Sequence, residues 1–256
     1  MFSALTLGCS TSGAASCSSS GKGTCCFEAP GGLLLQTQFW DTNPSTGPSD
    51  SWTIHGLWGD NCDGTYSENC DSSRDYTDIT SLLTAAGATD TLSYMKDYWL
   101  NDDGSSEELW EHEWATHGTC YSTLETSCFK DYTKGDEAVA FYETVVSLFK
   151  TLPTYKWLAD SGITPSDSKT YEWTDVEAAL VKNGNGLKPM VTCDSGSIGA
   201  ISWYFNVKGS LVDGDFVAIG ELRVPSRSNV SNRPSIDSPE SSTCSGTVKY
   251  PTKSSS

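Results

Sequence analysis

The chain has 256 residues, ten cysteines, three histidines and a formal net charge of −17 at pH 7. Its length and composition fit one large or two small globular domains, and no apolar run is long enough to cross a bilayer. The charge argues against a nucleic acid partner at neutral pH, because phosphate binding depends on Lys and Arg. That argument weakens near pH ~4 to 5, where carboxylates are partly protonated and histidines are charged.

The first 30 residues are rich in Ser, Gly and Cys. Residues 1–8 lack the basic flank of a signal peptide, so we interpret them as a mature or trimmed N-terminus. The even number of cysteines and the lack of C-x-x-C spacing favour five disulfides over a zinc or redox site. We therefore expect a secreted protein, or one of the vacuole or lysosome. The sequon at Asn229 predicts a glycosylation site, which agrees with that route.

Two strands are predicted next. An apolar run indicates a strand over residues 32–40, and a turn-rich loop with two prolines follows it. The second strand covers residues 51–58. Regular alternation along this strand puts His55 and Leu57 on one face and Trp58 on the other.

The middle of the chain is predicted to be helical. Apolar periodicity and helix-ending glycines indicate four helices, over residues 77–86, 90–99, 106–118 and 136–150. A capping box from Thr174 to Glu177 predicts a further helix that ends at Gly184.

The last part of the chain is predicted to form strands, over residues 189–193, 201–207 and 216–222. Their close spacing and short turns favour antiparallel pairing. We therefore predict one α+β domain over residues 1–256, with a central antiparallel β-sheet flanked by several α-helices. Within it, residues 225–243 are predicted to be an irregular Ser/Pro-rich segment and residues 249–256 a flexible tail.

All three histidines lie in two similar motifs. His55 belongs to Trp-Thr-Ile-His-Gly-Leu-Trp at residues 52–58, and His112 and His117 belong to Leu-Trp-Glu-His-Glu-Trp-Ala-Thr-His-Gly-Thr-Cys at residues 109–120. Imidazole is the side chain whose ordinary pKa suits proton transfer in the physiological range. The rarity of histidine and its similar surroundings predict that the two motifs meet at one site.

The predicted helix of the second motif presents a polar patch. His112 and Thr116 are four residues apart and form one column, and Glu113 and His117 form the next. The two tryptophans of the motif lie on the opposite side, where they would fix the helix to the core.

Several interpretations of this patch compete. A spacing of five residues places His117 about 140° from His112 on a straight helix, which argues against one shared zinc ion. Acyl-enzyme chemistry lacks a nucleophile, because there is no G-x-S-x-G motif and no cysteine outside the disulfide count. A purely structural role would suit one isolated histidine. Metal-free acid–base catalysis, with one neutral and one charged imidazole, fits three of them best.

Together, the two motifs resemble the active-site segments of the ribonuclease T2 family, and the adjacent Cys25 and Cys26 resemble its fungal branch. The resemblance covers about residues 9–244. It implies an acid endoribonuclease that cleaves single-stranded RNA with low base specificity, through 2′,3′-cyclic phosphates to 3′-phosphates. It further implies no cofactor or metal, no action on DNA, no membrane partner and a monomeric protein.

The resemblance also implies a role for each site residue. His117 would be the base that activates the ribose 2′-OH and His55 the acid that protonates the leaving group, although the reverse assignment stays open. His112 would hold the phosphate, and Glu113 would stabilise the transition state. The remaining substrate-binding residues would be Trp58, Asp60 and Tyr66 at the base and Thr116 beside the phosphate.

In the fungal pattern, the ten cysteines would pair as Cys9–Cys26, Cys17–Cys62, Cys25–Cys128, Cys70–Cys120 and Cys193–Cys244. Sequence alone cannot choose these pairs from the many alternatives.

The chain departs from the family pattern at two positions. Thr116 stands where a lysine is usual, and the loss of a fixed cation beside a phosphorane could cost a few kcal/mol. Gly59 stands where a proline is usual, which predicts a looser segment around Asp60 and leaves base preference open. Residues 101–103 fall where a second base site is expected, but their acidic side chains are more typical of a solvated loop.

Three hypotheses follow, in order of support. The first is an active acid endoribonuclease. The second is a binding protein on the same scaffold, with chemistry weakened by Thr116. The third is a zinc hydrolase, which a metal assay would separate from the others.

Overall fold

The computed structural model describes residues 5–18, 21–184, 187–219 and 241–254, and a seven-stranded sheet lies at its centre. The strands are β1 (Leu33–Phe39), β2 (Thr53–Asp60), β3 (Thr170–Glu172), β4 (Met190–Asp194), β5 (Ser197–Lys208), β6 (Asp215–Ala218) and β7 (Thr247–Lys249). The order is β2-β1-β5-β7-β3, and β4 and β6 also pair with β5. Only the short β5–β7 contact is parallel among these pairings, so the predicted α+β class with an antiparallel sheet is confirmed.

Six α-helices are present in the described part of the chain. They are α1 (Ile79–Ala85), α2 (Thr89–Tyr98), α3 (Ser106–Thr116), α4 (Asp136–Lys150), α5 (Thr154–Asp160) and α6 (Trp173–Asn183). The four helices predicted from periodicity are confirmed, with ends that differ by up to two residues. The most apolar, α4, buries aromatic and aliphatic side chains in the core against β1 and β2.

Two features of the helices differ from the prediction. Helix α5 is not predicted from the sequence, because Pro153 is interpreted there only as the end of α4. In the structure Pro153 is the N-cap of α5, where its missing N–H costs little. Helix α6 begins at Trp173 with Glu172 as its N-cap, and no side-chain cap bond forms. The prediction of a capping box at Thr174 is therefore wrong, because β3 leads directly into α6 at Trp173.

A β-bulge in β2 interrupts the alternation that the sequence predicts. Thr37 of β1 pairs with Gly56, but the next residue, Gln38, pairs with Ile54, so His55 is the extra residue. After the bulge, Leu57 faces the buried core, while Trp58 lies in ring contact with His55. The predicted faces of His55, Leu57 and Trp58 are therefore wrong, because one inserted residue shifts the side-chain pattern.

All ten cysteines form disulfides, in the pairs that the resemblance implies: Cys9–Cys26, Cys17–Cys62, Cys25–Cys128, Cys70–Cys120 and Cys193–Cys244. Two of these bonds hold the ends of the loop that follows β2. Cys62 ties its start to the N-terminal segment, and Cys70 ties its end to the residues that follow α3.

The predicted flexible tail is wrong for residues 249–254. The ring of Tyr250 is fully buried beside Trp40 and Trp52. Lys253 is 5% exposed, its Nζ donates to the carbonyl of Ser51 at 3.0 Å, and it lies 4.4 Å from the centre of the Trp40 ring.

Residues 225–240 of the predicted Ser/Pro-rich segment, Asn229 among them, lie outside the described residues. Residues 241–243 carry no helix or strand. No helix among those described is both long and apolar enough to span a membrane.

Candidate active site

A cleft of about 430 Å³ opens where β2, α3 and the loop after β2 meet. It brings together seven of the eight catalytic and substrate-binding residues that the sequence predicts: His55, Trp58, Asp60, Tyr66, His112, Glu113 and His117. Residues 101–103 do not line it. The two histidine motifs therefore meet at one site, as their similar surroundings predict.

The end of α3 sets the positions of its two histidines. The helix ends at Thr116, and His117 is the C-cap residue with φ −111° and ψ −44°. The angle predicted for a straight helix therefore does not apply. Ligand atoms of His112, Glu113 and His117 all lie within 4.8 Å of one another, so these side chains are close enough to hold a cation. The argument from residue spacing against a shared metal ion is wrong on this point.

Glu113 is fully buried between α3 and β2. Its Oε2 accepts a hydrogen bond from Nε1 of Trp58 at 2.9 Å, and its Oε1 lies 3.4 Å from Nε2 of His55. A Cβ on Gly56 would overlap the Glu113 carboxylate. The glycine of the first His-Gly pair is therefore required by the close approach of this carboxyl group to the strand.

The second His-Gly pair has a similar explanation. A Cβ on Gly118 would overlap the indole of Trp114, which is fully buried under α3. The chain can turn directly after His117 only because no side chain stands at residue 118. Gly56 thus permits the close approach of Glu113 to β2, and Gly118 permits the close packing of Trp114 against the chain after His117.

Burial changes the acid–base properties of the site. It raises the pKa of Glu113 to about 8, against the opposing effect of the Trp58 hydrogen bond. Burial also lowers the pKa of His55 to about 4, with further lowering from the charges of His117 and His112. The pKa of His117 falls to about 4, through burial and then the charge of His112. In mildly acidic solution, Glu113 is therefore neutral and able to donate a hydrogen bond.

Aromatic rings contact the two half-buried imidazoles, those of His55 and His117. Phe39 lies 4.1 Å from His55 between ring centres. Trp58 lies 4.9 Å from His55, edge to face, and 5.3 Å from His117. Trp58 therefore contacts both histidines and also donates to Glu113. It packs against both imidazoles in addition to lining the cleft.

Thr116 is the predicted substrate-binding residue that the cleft does not include. It is 7% exposed, and its Oγ1 lies at hydrogen-bonding distance, 3.3 Å, from Nδ1 of His112. His112 itself is exposed and lines the cleft. Thr116 therefore lies beside His112 and outside the cleft lining, and its predicted role in substrate binding stays a prediction.

The segment around Gly59 is ordered by Tyr121. The Tyr121 hydroxyl donates to the carbonyl of Leu57 at 3.1 Å, and a Cβ on Gly59 would lie 2.8 Å from the tyrosine ring. Strand β2 continues to Asp60, which forms a β-bridge with Tyr66. The tyrosine ring thus fills the space beside the glycine, and the looser segment stays a prediction.

Several cleft residues are not predicted from the sequence. They are Leu35, Gly59, Gly64, Ser67, Glu68 and Met190. Leu35 faces the cleft because it pairs with Trp58 across the β1–β2 register, and Met190 comes from β4, far along the chain. Glu68 lies only two residues after Tyr66, and its nearness to the predicted base site is a signal that could have identified it.

Comparisons with known proteins identify one family. The Ribonuclease T2 family model matches residues 31–213. Ribonuclease Le2 from Lentinula edodes is 64% identical over 218 residues, which cover 84% of this chain and 91% of that protein. Ribonuclease T2 from Aspergillus oryzae is 52% identical over 201 residues, 78% of this chain and 73% of that protein.

Solved structures agree with the sequence comparisons. The crystal structure of Actibind, described as a T2 ribonuclease, has a TM-score of 0.86 at 49% identity, covering 96% of this chain and 98% of that one. RNase NT in complex with 5′-AMP has a TM-score of 0.59 at 22% identity over 86% of this chain and 98% of that one, a likeness of fold alone.

Proposed function

Because the chain belongs to the ribonuclease T2 family of endoribonucleases, we propose that it cleaves single-stranded RNA by acid–base catalysis at His55 and His117, with no metal ion or other cofactor. The observation that carries this mechanism is the meeting of these two imidazoles in one cleft, each in contact with Trp58. Two positioned proton-transfer groups are what an internal phosphoryl transfer requires.

His117 removes the proton of the ribose 2′-OH, and the 2′-oxygen attacks the adjacent phosphorus. The bond from phosphorus to the 5′-oxygen then breaks, and His55 gives its proton to that oxygen. The products are a 2′,3′-cyclic phosphate and a free 5′-hydroxyl. Water then takes the place of the leaving group, and the cyclic phosphate opens to a 3′-phosphate. The two histidines can exchange roles without changing the balance of the reaction.

Two further side chains stabilise charge on the phosphorane. His112 is exposed at the cleft and donates to a phosphate oxygen when it is protonated. Glu113 donates a hydrogen bond in its neutral form, which its raised pKa of about 8 favours in acid. The lowered pKa values of His55 and His117, both about 4, favour an acid optimum, because the acid must carry a proton while the base does not.

The base on the 5′ side of the cut bond binds at Trp58, Asp60 and Tyr66. Tyr66 is 66% exposed, which leaves its ring free to stack on a base. Asp60 accepts hydrogen bonds from base amino groups, and Glu68 lies in the same cleft as a second acceptor. Stacking tolerates every base, so base specificity is low. DNA is not cleaved, because it lacks the 2′-OH that attacks.

Dinucleotide cleavage tests the proposal. Ribodinucleotides are incubated across pH 3–8 with EDTA present, and the cyclic intermediate is identified by chromatography. We expect full activity in EDTA, an optimum near pH ~4 to 6, and a loss of at least roughly 10³-fold in His55→Phe and His117→Phe. The matching deoxydinucleotide is the substrate control, and near-ultraviolet circular dichroism checks the fold of each variant.

The outcomes separate the competing functions. Activity that EDTA abolishes and zinc restores would indicate a metal hydrolase at the His112, Glu113 and His117 cluster. RNA binding without cyclic phosphate above the level of the double histidine variant would indicate a binding protein. Full activity in both single histidine variants would refute the mechanism.

The surroundings of the protein are also part of the proposal. Five disulfides suit an oxidising compartment, so we propose a secreted protein or one of the vacuole or lysosome, with a glycan at Asn229. We further propose that it acts as a monomer, without a membrane partner.

A further inference from the structure

Thr116 lies within the second histidine motif but outside the cleft that the motif helps to form. It lies one helical turn after His112, and its Oγ1 is 3.3 Å from Nδ1 of that imidazole. Its side chain is buried, whereas His112 is exposed to the cleft. The hydroxyl therefore contacts the ring from outside the cleft.

This contact decides which ring nitrogen meets the substrate. An imidazole has two ring nitrogens that point in different directions, and a hydrogen bond at one of them influences the orientation and protonation of the ring. With Nδ1 held by Thr116, Nε2 is the nitrogen that remains for a phosphate oxygen. When the ring is protonated, the hydroxyl accepts from Nδ1–H and Nε2 still carries a proton to donate.

The charge around the cleft makes this orientation important. Among the described residues that line the cleft there is no lysine or arginine, and three of them are acidic: Asp60, Glu68 and Glu113. The positive charge that these residues offer to a phosphate therefore comes from imidazoles. Of the three histidines in the cleft, His55 and His117 already serve the proposed proton transfers, so His112 remains to bind the phosphate.

We propose that Thr116 is a positioning residue for His112, which it holds through Nδ1 so that Nε2 donates to the phosphate of the bound RNA. The proposal rests on the proposed ribonuclease function. In this role, Thr116 acts through His112 and does not itself contact the substrate. A ring that turns freely would spend less time in the productive orientation, and the transition state would lose part of its hydrogen bonding.

Three variants test this role. Thr116→Val keeps the branched shape but removes the hydroxyl, and we expect kcat/KM for a ribodinucleotide to fall about tenfold, the effect of one lost hydrogen bond. Thr116→Ser restores the hydroxyl and should lie within about threefold of the wild type on the same argument. Thr84→Val removes an exposed helical hydroxyl in α1 and should leave activity unchanged.

A double-mutant cycle separates positioning from a general effect on the fold. In a His112→Asn background, Thr116→Val should cause no additional loss, because the ring that it orients is absent. Imidazole ¹⁵N spectra of the wild type should show Nδ1 of His112 in a hydrogen bond, and that signal should change in Thr116→Val. The spectra of the unaltered protein remain informative if the valine variant does not fold.

Two results would overturn the proposal: unchanged kcat/KM in Thr116→Val, or an equal loss from that substitution with and without His112. The failure of the underlying function looks different, because the wild type itself would then not cleave RNA. If the wild type is active and His55→Phe is inactive while Thr116→Val is unaffected, only the positioning role is refuted.

Discussion

Trp58 contacts three of the four residues that we propose to be catalytic. Its ring contacts the imidazoles of both His55 and His117, and its indole N–H donates a hydrogen bond to the Glu113 carboxyl group. The sequence predicts it as a base-stacking residue beside the histidines. Its hydrogen bond to Glu113 could not be predicted, because the two residues are 55 positions apart and meet only through the packing of α3 on β2.

Removal of the indole N–H should therefore impair catalysis more than folding. In Trp58→Phe, Oε2 of Glu113 loses the hydrogen bond that holds the carboxyl group in place, and we expect kcat to fall about tenfold. The matched control is Trp52→Phe, which loses a hydrogen bond from Nε1 to Tyr250 away from the cleft. It should lower the melting temperature without lowering kcat. Equal kcat in Trp58→Phe and the wild type would contradict this role.

Strand β2 shows how one inserted residue can build a site. The bulge at His55 places that imidazole and Trp58 together at the cleft while Ile54 and Leu57 stay in the core. The strand itself was predictable from its residues. The bulge was not, because it is a property of the register between β1 and β2. Met190 is in the cleft for a related reason, since the pairing of β4 with β5 brings it there.

The close approach of α3 to this bulge leads to a sharp prediction. A Cβ at residue 56 would overlap the Glu113 carboxylate, so Gly56→Ala must push β2 and α3 apart or displace the carboxyl group. We expect kcat/KM to fall by roughly 10² or more, as when a preorganised transition-state group is removed. Gly199→Ala is the control, because its Cβ would meet no atom closer than 3.9 Å. Near-wild-type activity in Gly56→Ala would show that the contact is unimportant.

Burial shifts the pKa values of two glutamates and two histidines in opposite directions. The pKa of Glu113 is raised to about 8, and burial raises the pKa of Glu28 to about 7, against hydrogen bonds from Thr123 and Ser122. Those of His55 and His117 are lowered to about 4. Folding thus takes up protons on the carboxyls and releases them from the imidazoles. Between about pH 4.5 and 6.5 the two effects largely cancel.

Above pH 6.5 the balance changes, because the histidines are then neutral in both states. The folded protein still binds more protons at Glu28 and Glu113 than the unfolded chain, so the free energy of unfolding should fall as pH rises to about 8. Melting temperatures at pH 5, 6.5 and 8 measure this. Glu113→Gln removes one of the two groups and should make the decline shallower. A melting temperature that rises from pH 6.5 to 8 would contradict the assignment.

The disulfides divide the chain into two blocks that share no covalent link apart from the backbone. Four bonds lie within residues 9–128, and the fifth joins Cys193 to Cys244. A single backbone cut in the connection between α5 and β3, at residues 161–169, would leave two pieces that part on denaturation without a reductant. The first piece would carry all three histidines, and the second would carry β5, the strand that pairs with β1. We therefore expect each fragment alone to be inactive and the reassembled pair to be active. RNA cleavage would then measure the reassembly of the two fragments.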